Sequence, residues 1–240
     1  KWGEASLVDQ ILCCCIPFPR LGASCRRRAP LNCRRSLMTM LQELQRSRQT
    51  LRHLTTTNYG TFRGWVRHFL AQLEWVTGRV DRFVTLQPGR VQRLVFVCLG
   101  NINRSAFAEA VTRSRGVRVC SLGLATTTGA PAFSTAVSTA MRYGVDLSGH
   151  AATDLSDFGY QPGDLLLAME IRHVHRLIAN GIPPDAIALL GAWASPSRLH
   201  LHDPALTSDE YFMTCFALIH SAVINLVGEL RSAGSPCVLP

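Results

Sequence analysis

Leu94-Val95-Phe96-Val97-Cys98-Leu99-Gly100-Asn101-Ile102-Asn103-Arg104-Ser105 sets a cysteine at the end of an apolar run and an arginine six positions later. The run reads as a buried strand, and Ala106 to Val111 reads as the first turns of a helix. Gly100 and Asn101 between them are residue types that tolerate positive φ, which lets the loop curl until its backbone N–H groups face one centre. The helix start adds partial positive charge at the same place. Such a loop would hold a phosphate dianion and favour a Cys98 thiolate at its base. Arg104 would offer a planar fork to two phosphoryl oxygens, and Ser105 a hydrogen bond to the sulfur.

A thiolate there can attack phosphorus in line, and the resulting cysteinyl-phosphate splits one difficult hydrolysis into two easier displacements. A carboxylic acid on another loop must protonate the leaving oxygen and then activate water. Asp203 is the expected residue, because Pro204 restricts its backbone and keeps it outside the helix that begins near Ser208. Asp209 and Glu210 instead fit the first turn of that helix, where acidic residues complement the dipole. His202 is expected to be a solvated loop residue. His173 and His175 point to different faces of one helix, and no metal-ligand spacing emerges. Neither a metal nor a cofactor is expected, since loop amides and Arg104 would supply the charge stabilisation.

From residue 93 onward, short apolar runs alternate with helical stretches. The rhythm predicts strands at 93–98, 117–121, 164–168 and 186–190, with helices near 105–115, 132–143, 171–180 and 208–231. Strands with helical crossovers imply an α/β fold, a small doubly wound four-stranded parallel sheet with its site at the carboxyl ends of the strands.

The loop at 98–105 resembles the signature loop of the low-molecular-weight protein tyrosine phosphatases. Four further stretches resemble recurring stretches of that family, in the right order over residues 93–231. They are Val119-Cys120-Ser121-Leu122-Gly123, Gly144 to Ala152, Asp164 to Glu170, and His202-Asp203-Pro204. The resemblance implies hydrolysis of phosphotyrosine in proteins, with Cys98 as nucleophile, Arg104 as phosphate clamp and Asp203 as acid and base. It implies that Leu99, Gly100, Asn101, Ile102, Asn103 and Ser105 form the phosphate-binding loop, held open by a hydrogen-bond network of Asn101, Ser105, Ser121 and His150. Some positions depart from the family pattern. Asn103 stands where many members carry a second cysteine, Ala106 replaces a common proline, and Ala205 and Thr126 to Thr128 stand near where cleft aromatics are common. Ile102 suits a phosphotyrosine ring, whereas phosphoarginine-selective relatives tend to carry threonine. Two alternatives accompany this reading. One is a catalytically decayed phosphate-binding or adaptor protein. The other is an arsenate reductase, which needs a cysteine relay that the gap between Cys120 and Cys215 does not provide.

The 240 residues carry a formal net charge of +9, with most arginines before residue 94. No basic run in the catalytic part is interleaved with stacking aromatics, so nucleic acid is not an expected partner. An anionic membrane surface or an acidic partner fits the charge equally. Residues 1–37 carry Cys13, Cys14, Cys15, Cys25 and Cys33 among basic clusters, without zinc-site spacing. They read as a disordered or non-native leader ahead of a translation start at Met38, with palmitoylation of the cysteine triplet as a further reading. Residues 38–90 read as a helical extension. Within it, 38–56 is polar, and 60–82 has a broad apolar face that packs on the catalytic domain or on the preceding helix, or else lies in a membrane interface with arginines at its rim. Residues 91–231 form the catalytic domain, and 232–240 are expected to be a flexible tail. Unpaired cysteines point to a reducing cytoplasm.

Overall fold

The computed structural model describes residues 31–239, with side chains from Met40 onward. The cysteine triplet and most of the expected leader lie outside the described residues. Four strands form one all-parallel sheet in the order β2-β1-β3-β4: β1 (Arg93–Cys98), β2 (Val119–Gly123), β3 (Asp164–Ala168) and β4 (Ile187–Leu189). Cys98 pairs in register with Gly123, and Val97 with Ala168, so β1 ends at the middle of the sheet with a neighbour on each side. The helices are α1 (Leu31–Tyr59), α2 (Phe62–Val76), α3 (Arg104–Arg113), α4 (Ser134–Met141), α5 (Ile171–Ala179) and α6 (Asp209–Ser232). The expected elements from residue 93 onward are all present, with ends shifted by up to about two residues, a scatter normal for element ends.

Strand alternation divides the core into two layers. Leu94, Phe96 and Cys98 face a cluster with Leu165, Leu167, Phe107 of α3 and the buried face of α6. Val95 and Val97 face the other cluster with Leu166, Ala168, and Val174 and Leu177 of α5. Near-continuous apolar runs in β1 and β3 follow from burial on both faces. In the first layer Phe107 stacks on Phe216 of α6, with centroids 4.1 Å apart and planes 14° apart.

The segment before β1 departs from expectation in two ways. First, the chain divides into two compact units, Lys1–Ser47 and Arg48–Pro240, so the part of α1 after Ser47 and all of α2 belong to the catalytic unit. Ala71 of α2, with Val80 and Phe83 of the following turn, is buried in the second core layer beside Val95. Second, α2 docks through its small residues, Gly64 and Ala71, while the broad apolar face is turned outward. Phe62 is 68% exposed, Phe69 54% and Val76 85%. Large side chains on the docking side would hold the helix off, whereas Gly64 lies against His202 and Ala71 enters the second core layer.

The C-terminal segment is also not the flexible tail expected. Ser235 and Cys237 are buried, Arg118 N–H donates to Cys237 O at 2.9 Å, and Leu239 N–H donates to Gly116 O at 2.8 Å. Alternating polar and small residues hid this edge pairing, because Val238 bridges Val117 through backbone groups.

Removing the stacked ring should open a cavity between α3 and α6. Phe107→Ala is expected to lose about 3–5 kcal/mol of unfolding free energy in urea titrations at pH 7, and a loss under about 1 kcal/mol would mean that this layer is not close-packed.

Candidate active site

The strand-end loop follows the path its sequence suggests. Asn101 takes φ 51°, the left-handed conformation, and is the residue that makes the turn; Gly100 is not in that region. Room for the curl comes from Gly123 opposite, where a Cβ would meet Leu99 O at 3.0 Å and Asn101 Cβ at 3.1 Å. The loop leads directly into α3, which starts at Arg104.

Asn101 organises the loop interior. Its Nδ2 donates to Ser105 Oγ at 2.8 Å and to Ser121 Oγ at 2.7 Å, while its Oδ1 accepts the Thr153 N–H at 2.8 Å. His150 Nε2 donates to Asn101 O at 2.6 Å. With Ser105 Oγ already accepting from Asn101, its own proton is directed to Cys98 Sγ at 3.0 Å, and Asn101 N–H reaches the same sulfur at 3.2 Å. Negative charge on Cys98 is thus met by two donors. The implied network of Asn101, Ser105, Ser121 and His150 is assembled as expected. It continues to a residue that sequence reasoning missed, Glu109, whose Oε2 accepts from Ser121 at 2.5 Å and whose other oxygen pairs with Arg113.

Arg104 is fully buried. Its Nη1 donates to Glu170 Oε1 at 2.6 Å and to Leu201 O at 2.8 Å, and its Nη2 to Asp203 Oδ2 at 2.6 Å. Its Nε is buried and has no hydrogen-bond partner among the described residues. Burial opposes the guanidinium charge, yet the Asp203 and Glu170 carboxylates outweigh it and raise the Arg104 pKa further. Burial alone would raise the Glu170 carboxyl, but Arg104 beside it holds it well below the usual carboxylate range. Glu170 was visible only as the end of the 164–170 stretch. An acidic side chain at the exit of an all-apolar strand was the available signal, since a buried carboxylate needs a buried cation.

Two histidines enclose this ion cluster. His173 and His200 lie 3.8 and 3.6 Å from Glu170, and burial, with Arg104 nearby, pushes both down to about 3. They are therefore neutral at pH 7, and their contacts with Glu170 are polar rather than ionic. His175 is exposed, as its spacing from His173 requires. His202 departs from its expected place in solvent: it is half-buried, and its Nε2 lies 3.1 Å from Thr61 Oγ1 at the start of α2. Burial lowers its pKa as well. Asp209 and Glu210 sit in the first turn of α6 behind the Ser208 cap, apart from Arg104.

Cys98, Arg104 and Asp203 thus meet at the carboxyl edge of the sheet, although 99 positions separate Arg104 from Asp203. The family model for low molecular weight phosphotyrosine protein phosphatases matches residues 93–235. The chain belongs to the low-molecular-weight protein-tyrosine-phosphatase family. It is 34% identical over 134 residues to the phosphatase Etp of Escherichia coli K12, covering 54% of this chain and 88% of that protein. Among solved structures it resembles the tyrosine phosphatase AmsI of Erwinia amylovora, with a TM-score of 0.53, 26% identity, and coverage of 60% of this chain and 97% of that one. Wzb of Vibrio vulnificus, solved in complex with benzylphosphonate, gives a TM-score of 0.50 and 28% identity over 57% of this chain and 98% of that one. This family protein is accordingly a protein-tyrosine phosphatase, a hydrolase of phosphoric monoesters.

The buried neutral histidines make stability depend on pH. Unfolded, His173 and His200 protonate near 6.5; folded, they do so near 3. Between those values the unfolded chain binds more protons, so stability falls as pH falls, by up to about 1.4 kcal/mol per pH unit for each histidine. Glu170, depressed when folded, adds to the loss below about pH 4.5. Urea midpoints should drop between pH 7 and 5, with a shallower slope in His173→Leu; equal slopes in the two proteins would mean that His173 takes up its proton without unfolding.

Proposed function

We propose that Cys98, Arg104 and Asp203 carry the hydrolysis, Cys98 as nucleophile, Arg104 as phosphate clamp and Asp203 as acid and then base. The supporting observation is their convergence: Asp203 Oδ2 occupies one arm of the Arg104 guanidinium at 2.6 Å, while the Cys98 sulfur is held at the loop base by Ser105 and Asn101. A phosphoryl dianion entering the loop takes the inward N–H groups and the unpaired Arg104 Nε, and competes with Asp203 for Nη2. Displaced from the guanidinium, the Asp203 carboxylate takes up a proton from solvent, and the resulting carboxylic acid faces the leaving oxygen.

The Cys98 thiolate then forms an S–P bond as the P–O bond to tyrosine breaks, and Asp203 gives its proton to the departing phenolate. In the second step Asp203, now a carboxylate, takes a proton from water as the water oxygen bonds to phosphorus. The S–P bond breaks, releasing inorganic phosphate and restoring the thiolate. Asn101, Ser105, Ser121 and His150 hold the loop in shape throughout, so no reorganisation is needed when charge develops.

Phosphotyrosine is the favoured substrate. Ala205 gives no aromatic wall, but the 40%-exposed Phe133 is tied to the loop through its N–H to Ile102 O at 2.9 Å, and Phe212 stacks behind it at 6.4 Å. An aromatic group therefore borders the loop from a position that sequence comparison did not suggest. Benzylphosphonate, the ligand in the Vibrio vulnificus relative, has the same aryl-plus-phosphoryl form. The four described cysteines are all free thiols, and the cytoplasm is the compartment that would keep the Cys98 thiol reduced.

Phosphate release from a phosphotyrosine peptide tests the roles. Cys98→Ser should abolish turnover, and Asp203→Ala should slow it by about 10²–10⁴-fold. Phosphoserine and phosphoarginine peptides are expected to be poor substrates. A reduced wild-type protein that binds phosphate but releases none from any of the peptides would leave the decayed binding-protein reading in place.

For the surface of α2 we propose an anionic membrane as partner. Phe62, Trp65 and Phe69 stack along the outward face at 5.7 and 6.3 Å, and Leu73 and Val76 extend it. Charge selects the partner: residues 48–90 hold seven arginines against Glu74 and Asp81, whereas residues 91–240 hold ten arginines against eleven acidic residues. Apolar and aromatic groups with arginines at the rim suit an anionic interface, and the same arginines would repel a second copy. Co-sedimentation with phosphatidylglycerol vesicles should exceed that with phosphatidylcholine vesicles, weaken in high salt, and disappear in Trp65→Ser/Phe69→Ser. Indifference to lipid charge, or a dimer in light scattering that the same substitutions dissolve, would refute it.

A further inference from the structure

The turn joining α1 to α2 touches the loop that carries Asp203, and it does so from outside the part of the chain that the relatives share. AmsI is covered to 97% by 60% of this chain, and the family match begins at residue 93, well after α2 ends. We propose that Thr61 and His202 are positioning residues, through which the segment before the shared domain fixes the backbone of the acid loop. This rests on the reading of Asp203 as the acid.

Thr61 serves two contacts with one hydroxyl. Its Oγ1 accepts the Gly64 N–H at 3.0 Å, capping α2, which directs its own proton to His202 Nε2 at 3.1 Å. A neutral His202 with an unprotonated Nε2 is the acceptor this requires, in keeping with the downward shift that burial imposes. The ring is also gripped by shape. A Cβ on Gly64 would lie 3.0 Å from two of its carbon atoms, so α2 is laid against the imidazole as closely as backbone allows. On the far side of the same residue, the Tyr211 hydroxyl donates to His202 O at 3.2 Å. Asp203 is the next residue. Its carboxylate must reach Arg104 in one state and the leaving oxygen in another, so the point from which it swings has to stay fixed.

A second contact ties the same turn to the same loop. The Arg198 guanidinium lies 4.7 Å over the Tyr59 ring and donates to Asn58 O. The loop from 198 to 203 is therefore held at two points by residues 58–64. Neither contact touches the phosphate loop, so loss of the brace should act on proton transfer rather than on phosphate binding.

The leaving group separates those effects. Aryl phosphates with a strongly acidic phenol depart without a proton, whereas a tyrosine-like phenol needs Asp203. Full-length Thr61→Val and His202→Phe should lower kcat by about tenfold for phenyl phosphate and phosphotyrosine peptide, with kcat for 2,4-dinitrophenyl phosphate and the inhibition constant of inorganic phosphate changed less than about twofold. Thr61→Ser keeps the hydroxyl and should restore the wild-type dependence on leaving group. Combining Thr61→Val with His202→Phe should cost little more than either alone, because both remove one contact. Equal losses for all leaving groups in variants with unchanged melting temperature would overturn the proposal, as would unchanged rates in both single variants. Asp203→Ala run alongside keeps the two readings apart: if it leaves the leaving-group dependence unaltered, the acid assignment fails first; if it steepens the dependence while Thr61→Val does not, the brace alone fails.

Discussion

A fully buried guanidinium cannot exist without negative charge around it, and the site is arranged around that requirement. Arg104 comes from the start of α3, Glu170 from just beyond β3, and Asp203 from the loop before α6. Their ion pairs of 2.6 Å fasten the segments that follow β1, β3 and β4 to one point. Each partner would be costly to bury alone, and the removal of either carboxylate would leave charge without compensation. Glu170 is the more enclosed of the two, with neutral His173 and His200 shielding it from water. Asp203, a quarter exposed at its side chain, is the partner that can leave. This asymmetry gives one carboxylate the structural duty and the other its freedom to move.

The fold was legible because the strands are short, apolar and set between helices with clear periodicity. The core of the site was legible because Cys98, Asn101, Arg104 and Ser105 lie within eight residues, where local geometry decides contact. Ser121 and His150 came through the family resemblance, and Asp203 through both its Asp-Pro step and the resemblance, and the structure brings all three to the loop. What escaped notice was contact over long sequence separation without a motif. Glu109 meets Ser121 one helix away, Glu170 meets Arg104 across 66 positions, and Thr61 meets His202 across 141. For Glu109, on α3, and Thr61, capping α2, residue type alone was uninformative, whereas Glu170 left one signal, an acidic side chain at the exit of an apolar strand.

Helix α2 shows why an amphipathic pattern does not by itself name the buried side. Its apolar arc was read as a packing face or, alternatively, as a membrane-facing one, yet the helix docks through Ala71 in the second core layer and Gly64 against His202. The large apolar residues are left facing outward, where charge rather than core volume decides what they meet. The C-terminal segment erred in the opposite sense: small and polar residues that suggested fraying instead pair through their backbone with the Gly116–Arg118 edge.

The burial of Ala71, Val80 and Phe83 beneath the sheet also bears on where this protein can be cut. Similarity to the relatives begins at residue 93, and a domain trimmed to that boundary would look complete by comparison with them. In this chain the trimmed fragment would expose part of the second core layer to water and leave the His202 ring without its cover. The unit of folding is therefore longer than the unit of homology. Rates and stabilities measured on the homologous fragment would describe a different molecule from the one whose acid loop is seated on residues 58–64.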